Sequence, residues 1–317
     1  MSEKKILLSG VKPTGRPHIG NYFGAMKQFV DLQDSYKNYI FIADYHGLTG
    51  IQNRKEMEEN IVGVLLDYMA IGLDPKGVTI FKQSDVPQVT ELAWIFNCLT
   101  TMPYLMRAHA FKDAEAKNKE INVGVFDYPI LMSADILIQD ADVVPVGQDQ
   151  KQHVEIARDT AEKFNNAFGD TFQLPEPLIL ESVAIVPGTD GRKMSKSYNN
   201  TIPLFATDEE ITKAVMSIVT DSSGERPENV YAIHALLRNK EALSKLYTEK
   251  KGQYKELKEA LIEDLKKFIG PMREKRSALE KDKGAVLEVL RAGGKVARER
   301  AEKKMEDVRE KVGLKIS

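Results

Sequence analysis

The chain has 317 residues, of which 42% are hydrophobic, and its formal net charge is −2. This length is enough for one large domain and a smaller one, and the near-balanced charge excludes a protein that is basic overall, so a nucleic-acid partner would have to bind local basic patches. One cysteine and five scattered histidines exclude an internal disulfide and a zinc cluster, so we expect no metal held by the protein itself.

Two further expectations concern burial and location. Cys98 lies in a mostly apolar stretch, so we expect it to be a buried structural thiol. No run approaches the roughly 20 apolar residues of a membrane span, and the first residues lack the apolar segment of a secretory signal. Because scarce cysteine also fits a reducing compartment, we expect a cytoplasmic protein with no membrane contact.

Residues 1 to about 190 alternate strand-like and helix-like segments. The predicted strands are 5–9, 39–44, 78–81 and 142–146, and the predicted helices include 54–71 and 90–98. This alternation predicts an α/β fold with a doubly wound parallel sheet and helices on both faces. Ligands of such sheets bind beyond the carboxyl ends of the strands, so the loops after strand 5–9, after Asp44 and after Val146 should converge on one crevice.

The first of these loops, residues 9–21, is rich in glycine and proline and leads into apolar positions at helical spacing. The free N–H groups and partial positive charge at a helix N-terminus favour a bound anion. His18 and Asn21 are three residues apart, so both should face the same side of the first turn. An ordinary loop before a helix, with Asn as a capping residue, explains this segment alone equally well.

A second loop, residues 191–197, reads Gly-Arg-Lys-Met-Ser-Lys-Ser. Lys193 and Lys196 stand among hydroxyl side chains, and ammonium and hydroxyl donors suit the oxygens of a polyphosphate. Two lysines at this spacing in a surface loop are usually only solvated. The five letters from Lys193 to Ser197 are a much rarer pattern, which favours a phosphate site.

Residues from about 205 onward have a different character. Residues 207–210, Thr-Asp-Glu-Glu, form a capping-box pattern that opens a helix, and apolar residues between 254 and 268 recur at helical spacing. We therefore predict three regions: a catalytic domain at 1–204, a helical domain at 205–290 and a C-terminal helix at 291–317. Most charges of the last helix are interpreted as solvated.

Together the two loops resemble the paired signatures of class I aminoacyl-tRNA synthetases. His-Ile-Gly-Asn at 18–21 is similar to the HIGH element, and residues 193–197 to the KMSKS loop. Further colinear blocks are similar to bacterial tryptophanyl-tRNA synthetases, and these are residues 20–25, 72–75, 83–87, 131–137, 144–153 and 219–222. The resemblance covers most of the chain.

The resemblance implies a Rossmann-like catalytic domain and a helical domain that reads the anticodon. It also implies a reaction in two steps, in which ATP and tryptophan form tryptophanyl-adenylate and the aminoacyl group then passes to tRNA(Trp). Mg²⁺ is expected on the triphosphate, held mainly by phosphates and water. The family is homodimeric, and the apolar stretch 92–104 is either the dimer interface or part of the core.

Roles at the ATP site follow from the resemblance, residue by residue. The expected catalytic residues are His18, Asn21, Lys193 and Lys196. The expected ATP-binding residues are Lys12, Thr14, Gly20, Asn21, Gly147, Asp149, Lys193, Met194, Ser195 and Lys196. Lys112 and Lys117 are further candidates for phosphate contacts. The first step needs no protein base, because the attacking carboxylate and the leaving pyrophosphate are both already ionised, so these groups are expected to position the reactants and neutralise charge.

Asp135 is the expected recognition residue for tryptophan. It lies in the mostly apolar segment 131–137, where a carboxylate must find a hydrogen-bond partner, and an indole N–H is donor only. Pairing with a neighbouring backbone group or an arginine is the alternative. The remaining expected tryptophan contacts are Leu8, His46, Met132, Val144, Val146 and Gln150, although core packing explains the two valines equally well.

Some positions differ from the family pattern. Many bacterial members have Gln at the position of Lys12 and Ser at that of Thr14, an aromatic residue often stands at the position of Leu8, and Tyr45 also departs. Three other functions compete: a tyrosyl-tRNA synthetase, a small-molecule nucleotidyltransferase and a non-catalytic RNA-binding paralogue. The paralogue should have lost His18, Asn21 or a loop lysine, and all are present.

Overall fold

The structure is a computed structural model that describes residues 4–108, 111–112, 115, 121–147, 150–179, 185–220 and 226–316. Asp149 and Lys117, which were predicted to contact the nucleotide, lie outside the described residues.

A parallel sheet forms the centre of the fold. Its strands are β1 (Ile6–Val11), β2 (Lys37–Ile42), β3 (Val78–Lys82), β4 (Val143–Val146) and β5 (Glu176–Ile179). Their order is β3-β2-β1-β4-β5, and every pairing is parallel. The strand order reverses between β1 and β4, so their carboxyl ends border the crevice where such sheets bind ligands. This confirms the predicted doubly wound sheet; β5 was not predicted, because it is short and contains Pro177.

The helices surround this sheet and form the C-terminal half. They are α1 (Ile19–Asn21), which continues through a π-helical turn (Tyr22–Met26) into α2 (Lys27–Leu32), then α3 (Asp44–Gly47), α4 (Arg54–Ile71), α5 (Gln88–Leu99), α6 (Met102–Met106), α7 (Val123–Ile138), α8 (Lys151–Phe168), α9 (Asp208–Met216), α10 (Glu228–His234), α11 (Lys240–Glu249), α12 (Tyr254–Glu280) and α13 (Lys283–Lys311). Helix α4 begins after Asn53, whose side chain accepts from the N–H of Glu56, and ends at Gly72, whose φ of 116° favours glycine. No helix of the described residues is long and apolar enough to span a bilayer.

Alternation along the strands divides the core into two apolar clusters. Leu7 and Ile40 belong to one cluster, and Leu8 and Tyr39 to the other, because neighbouring strand residues point to opposite faces. The first cluster continues into the helical region, for example to Leu261. The proposed division at 204/205 stays a prediction, and one apolar core crosses it.

The last helix, α13, packs against the edge strand β3. A Cβ added at Gly293 would lie 2.0 Å from the carbonyl oxygen of Ile80, so glycine permits the close approach. Several charges of α13 are also held in ion pairs with the catalytic half: Lys304 Nζ lies 2.6 Å from Asp140, and Arg309 pairs with Glu91 at 2.7 Å. The predicted boundary at 290/291 falls inside this helix, which begins at Lys283.

Helix α5 corrects one prediction. Cys98 is exposed, so the expected buried thiol is wrong. Leu92 and Phe96 are buried, whereas Trp94 is 71% exposed. Cys98 follows Trp94 by four residues and therefore lies on the same outward face. The stretch is apolar in sequence, but the helix buries only one of its two faces.

Candidate active site

Two adjoining cavities lie at the carboxyl ends of β1 and β4. Their volumes are about 440 and 360 Å³. Val11, Lys12 and Ala25 line both cavities, so the two spaces meet at these side chains. The position is the switch point of the sheet, where the loops were expected to converge.

The larger cavity collects the residues predicted for tryptophan. Its lining includes Leu8, His46, Met132, Asp135, Val144, Val146 and Gln150. Gly147, which was predicted to contact ATP, also lines this cavity and not the smaller one. Val144 and Val146 therefore face this cavity, although Val144 is also buried in the core. The wall contains apolar surface and a few polar groups, which is the usual character of a site for an organic ligand.

Asp135 lies at this cavity with its carboxylate already hydrogen-bonded. It is 4% exposed, and it accepts hydrogen bonds from Gln83 Nε2 at 2.8 and 3.0 Å. His46 Nε2 lies 3.0 Å from its Oδ2. Burial raises the pKa of Asp135, while the bond from His46 opposes that rise. The partners are side chains from α3 and from the end of β3, so the predicted alternative of a backbone or arginine partner is wrong.

An ionised carboxylate has about four acceptor positions, so a further donor can still bind Asp135. Gln83 was missed as a site residue, although it follows β3 directly, at the sheet edge where a ligand was expected.

Tyr128 is a second residue that sequence reasoning missed. It lines the larger cavity, its hydroxyl lies 3.4 Å from His153 Nε2, and its ring centroid lies 5.3 Å from Lys12 Nζ. The signal was available: Tyr128, Met132 and Asp135 are spaced i, i+4 and i+7 on α7, which puts them on one face.

The smaller cavity contains His18 and Asn21 at the start of α1. The backbone N–H of His18 donates to Asn21 Oδ1 at 3.0 Å, and the backbone N–H of Asn21 donates to His18 Nδ1 at 3.2 Å. The two side chains thus cap the helix reciprocally. Asn21 therefore takes part in capping, as the alternative interpretation expected. The same two residues also line the cavity, so capping is compatible with a role in ligand binding.

Burial and, to a smaller extent, the charge of Lys196 lower the pKa of His18 to about 4. The ring is therefore neutral at pH 7. Because Nδ1 accepts a backbone hydrogen bond, the ring proton resides on Nε2. A neutral imidazole with an Nε2–H can donate to an anionic oxygen.

The two sequence motifs come together at this cavity. The N–H of Ile19 donates to the carbonyl of Ile202 at 3.0 Å, and the N–H of Leu204 donates to that of Pro17 at 2.9 Å. Lys196 Nζ donates to the carbonyls of Thr14 and Gly15 at 2.7 and 3.0 Å. Residues that are about 180 positions apart thus form one surface.

Some of the remaining predicted ATP contacts lie at the smaller cavity, and others do not. Thr14, Ser195 and Lys12 line the smaller cavity. Gly20 lies against Met194, since a Cβ added there would be 3.4 Å from the Met194 Cβ. Lys193 and Lys112 are exposed and line neither cavity, so the structure does not bring them to the site.

Comparison with known proteins agrees with this arrangement. The family model of class I tRNA synthetases (W and Y) matches residues 1–283. The tryptophan–tRNA ligase of Fusobacterium nucleatum is 51% identical over 316 residues, which is 97% of each chain. That of Rhodopirellula baltica is 45% identical and covers 98% of this chain and 99% of its own.

A solved structure is also similar. The tryptophanyl-tRNA synthetase from Campylobacter jejuni, complexed with ADP and tryptophan, superposes with a TM-score of 0.91 at 41% identity, covering 97% of this chain and 99% of the other. The match therefore covers nearly the whole of both chains. The chain therefore belongs to the class I tRNA synthetases of the tryptophan and tyrosine group.

Proposed function

We infer that this chain is a tryptophan–tRNA ligase, which activates tryptophan with ATP and transfers it to tRNA(Trp). The observation that carries the inference is the pair of connected cavities at the switch point. One has a buried carboxylate in an apolar wall, and the other has the cationic and N–H groups of both signature loops.

The larger cavity suits an indole. Asp135 can accept the indole N–H at the acceptor position that Gln83 and His46 leave free. Met132 and the two strand valines supply apolar contact. Tryptophan is the largest standard side chain, so smaller amino acids lose contacts and leave the carboxylate without its donor, which makes an editing site unnecessary.

The smaller cavity suits the phosphates. In the first step a carboxylate oxygen of tryptophan attacks the α-phosphorus, and the bond between the α-phosphorus and the bridging oxygen breaks. Pyrophosphate leaves with the bonding electron pair, and no proton is transferred. His18 and Asn21 would hold the nucleotide near the α-position, and Lys196 would bind the departing phosphates. The predicted phosphate contact of Lys193 requires movement of its loop towards the cavity.

Lys12 occupies the junction of the two cavities. Its ammonium lies over the Tyr128 ring, and no ion pair joins it to a carboxylate of the described residues. Burial lowers its pKa, since the charge is partly removed from water. A cation at this junction can contact the attacking carboxylate and the α-phosphate together.

Mg²⁺ is proposed to accompany the nucleotide. No group of three or more His, Cys, Asp or Glu among the described residues could hold a metal ion. The donor set of the smaller cavity instead fits a metal that arrives bound to phosphates and water. Such an ion would neutralise charge on the triphosphate.

For tRNA, we propose that the helical region 205–290 reads the anticodon, whose unpaired bases can be recognised by stacking and edge hydrogen bonds. Arg238 and Arg273 are held in ion pairs with Asp264 and Asp208, which makes them weak candidates. Lys245 and Lys255 are 77% and 78% exposed, and their ion pairs with Glu249 and Glu259 are long, at 3.9 Å each, so they are better candidates. Replacing both by alanine should raise the KM for tRNA and leave pyrophosphate exchange unchanged.

We also propose a homodimer that uses the outward face of α5. Trp94, Met102 and Val123 are 71%, 66% and 80% exposed, and Trp94 lines a surface groove with Thr49 and Gly124. Large exposed apolar residues of this kind mark interfaces. Trp94→Glu should convert a dimer into a monomer in light scattering, whereas an unchanged mass would exclude this face. The alternative expectation, that the stretch 92–104 is part of the core, is correct for its inward side, where Leu92 and Phe96 are buried.

The activity is tested by ATP–pyrophosphate exchange with each amino acid in turn, followed by charging of tRNA. We expect exchange with tryptophan and none with tyrosine. Tyrosine-dependent exchange would favour the sister enzyme, whose structure from Archaeoglobus fulgidus, at 20% identity, shares the fold. Since charged tRNA is used at the ribosome, we propose a cytoplasmic location.

A further inference from the structure

A buried acid lies in the cavity proposed for the triphosphate. Asp67, on α4, is 3% exposed and lines the same cavity as His18, Asn21 and Lys196. A carboxylate in this position would repel phosphate oxygens. It would also compete with phosphate for the Lys196 ammonium, because the negative charge of Asp67 attracts that ammonium.

The acid is held by an arginine from the helical region. Arg276, on α12, donates from Nε to Asp67 Oδ1 at 2.6 Å, across 209 positions of sequence. Its guanidinium lies 5.5 Å from the Phe205 ring centroid and 3.7 Å from Glu280. The side chain is 26% exposed and that of Asp67 is 5% exposed, so the pair is largely removed from water.

The same helix also contacts the π-helical turn that follows Asn21. Phe268 stacks on Phe23 with centroids 5.4 Å apart and planes at 16°. Phe23 stands two residues after Asn21 and belongs to the π-helical turn that continues α1. Helix α12 therefore packs on the turn that continues α1 and also bonds the acid that lines the cavity.

We propose that Arg276 is a positioning residue for nucleotide binding, which holds the Asp67 carboxylate away from the triphosphate and away from Lys196. This rests on the proposed function. In the absence of Arg276, the Asp67 carboxylate is expected to move towards Lys196 and Arg16. The charges of these two side chains already interact with it and lower its pKa. The nucleotide site thus depends on a side chain from the region proposed to bind tRNA.

The test is a rescue experiment on the full-length protein. At a pH high enough to ionise Asp67, Arg276→Gln should raise the KM for ATP in pyrophosphate exchange by about tenfold or more, because one partner of a buried charge pair is removed. The KM for tryptophan should change less than twofold. The double variant Asp67→Asn/Arg276→Gln should return the KM for ATP to near the wild-type value, because the uncompensated charge is gone. Asp67→Asn alone should also bind ATP normally.

Arg273→Gln is the matched control. Arg273 lies one turn earlier on α12 and anchors the helix to the carbonyl of Ala206 and to Asp208, at 2.6 and 3.0 Å. Loss of that anchor should lower the melting temperature without changing the KM for ATP. An equal rise of the KM for ATP in both arginine variants would show a merely structural role and overturn the proposal.

The pH profile gives an independent readout. Burial raises the pKa of Asp67 to about 6 even with Arg276 present, and loss of the arginine should raise it further. In Arg276→Gln, the KM for ATP should therefore rise with pH as Asp67 ionises, and the double variant should show no such rise. The other ionisable groups that line this cavity or act on Asp67 are Lys12, Arg16, His18, Tyr68 and Lys196; they are present in every variant.

Two results would overturn the inference. One is an unchanged KM for ATP in Arg276→Gln, and the other is failure of Asp67→Asn to restore it. If Arg276→Gln does not fold, the Asp67→Asn variant alone still decides, since a raised KM for ATP there would mean that the carboxylate itself binds nucleotide. Absence of tryptophan-dependent exchange in the wild type would instead refute the proposed function.

Discussion

The two cavities differ in how their polar groups are held. In the larger cavity, proposed for the amino acid, Asp135 is bonded to side chains from two other elements and is hardly exposed. In the smaller cavity, proposed for the nucleotide, the Lys196 ammonium is bonded to two backbone carbonyls of a facing loop. Fixed partners keep a free acceptor position of Asp135 available for a ring N–H. A site for a polyanion can hold its cations on neutral backbone acceptors. A bound phosphate then takes the place of these acceptors, because a hydrogen bond between two charged groups is stronger.

The largest expected effect tests the nucleotide side of this comparison. Lys196→Ala should lower kcat for adenylate formation by roughly 10²–10³-fold, because charge on the leaving pyrophosphate loses its cation. The KM for tryptophan should change little. Lys295→Ala, at a lysine that is 79% exposed on α13, is the control and should be neutral. Equal losses in tryptophan binding and in rate would contradict a role towards the leaving group.

The amino-acid side is tested by Asp135→Asn. The indole would lose its hydrogen bond to a charged acceptor, and the amide would meet the donors of Gln83. We expect the KM for tryptophan to rise by about 10- to 100-fold and the KM for ATP to stay unchanged. Asp127→Asn is a matched control on the same helix, because this acid bonds to Asn97 at 2.9 Å and lines a different groove. A parallel rise in the KM for ATP would mean that the two cavities are not independent.

Lys12→Gln tests the junction between the cavities. Glutamine keeps a donor but removes the charge, and charge-assisted hydrogen bonds are about twice as strong as neutral ones. We expect a fall in kcat of about tenfold, measured by pyrophosphate exchange under saturating substrates. An unaltered rate would place the ammonium away from the reacting carboxylate. Lys12→Arg, which keeps a cation, should retain more activity than the glutamine variant.

The smallest expected effect concerns stability and pH. The pKa of His18 is lowered from 6.5 to about 4 by burial and by the charge of Lys196, so the unfolded chain binds this proton first as the pH falls. The stabilisation from the neutral ring is therefore complete above about pH 6.5 and is lost as the pH falls towards 4. His18→Asn keeps a capping acceptor and has no such titration.

The advantage in melting temperature of the wild type over His18→Asn should accordingly shrink between pH 6.5 and 4. Asp67 and His234 titrate in both proteins, so the difference between the two curves isolates His18. Parallel curves would show that the ring is not held neutral by burial.

Much of the catalytic half could be predicted because local patterns determine it. Helix α4 matches the predicted segment 54–71, since a capping Asn53 and a left-handed Gly72 mark its ends. The capping box at Thr207 is present as predicted. The strand β5 was missed, because four residues with a proline carry too little pattern for a prediction.

At the candidate site, the residues around the larger cavity were predicted well and several others were not. The residues expected for the amino acid all line one cavity, because their motifs follow neighbouring strands or share one helix face. Lys193 belongs to the same motif as Lys196 and yet is exposed, and its role stays a prediction. Gln83, Tyr128 and Arg276 were missed, because their importance depends on which groups surround them.

By itself, the sequence determined the strand and helix alternation, the two signature loops and the family, because these depend on residue spacing and on exact short patterns. Tertiary structure alone decided that Asp135 is bonded by Gln83 and His46, that Lys196 meets the carbonyls of Thr14 and Gly15, and that Arg276 neutralises Asp67. Each of these contacts joins residues far apart in the chain. A buried charge takes whichever partner the fold brings within hydrogen-bond distance, and no local pattern records that choice.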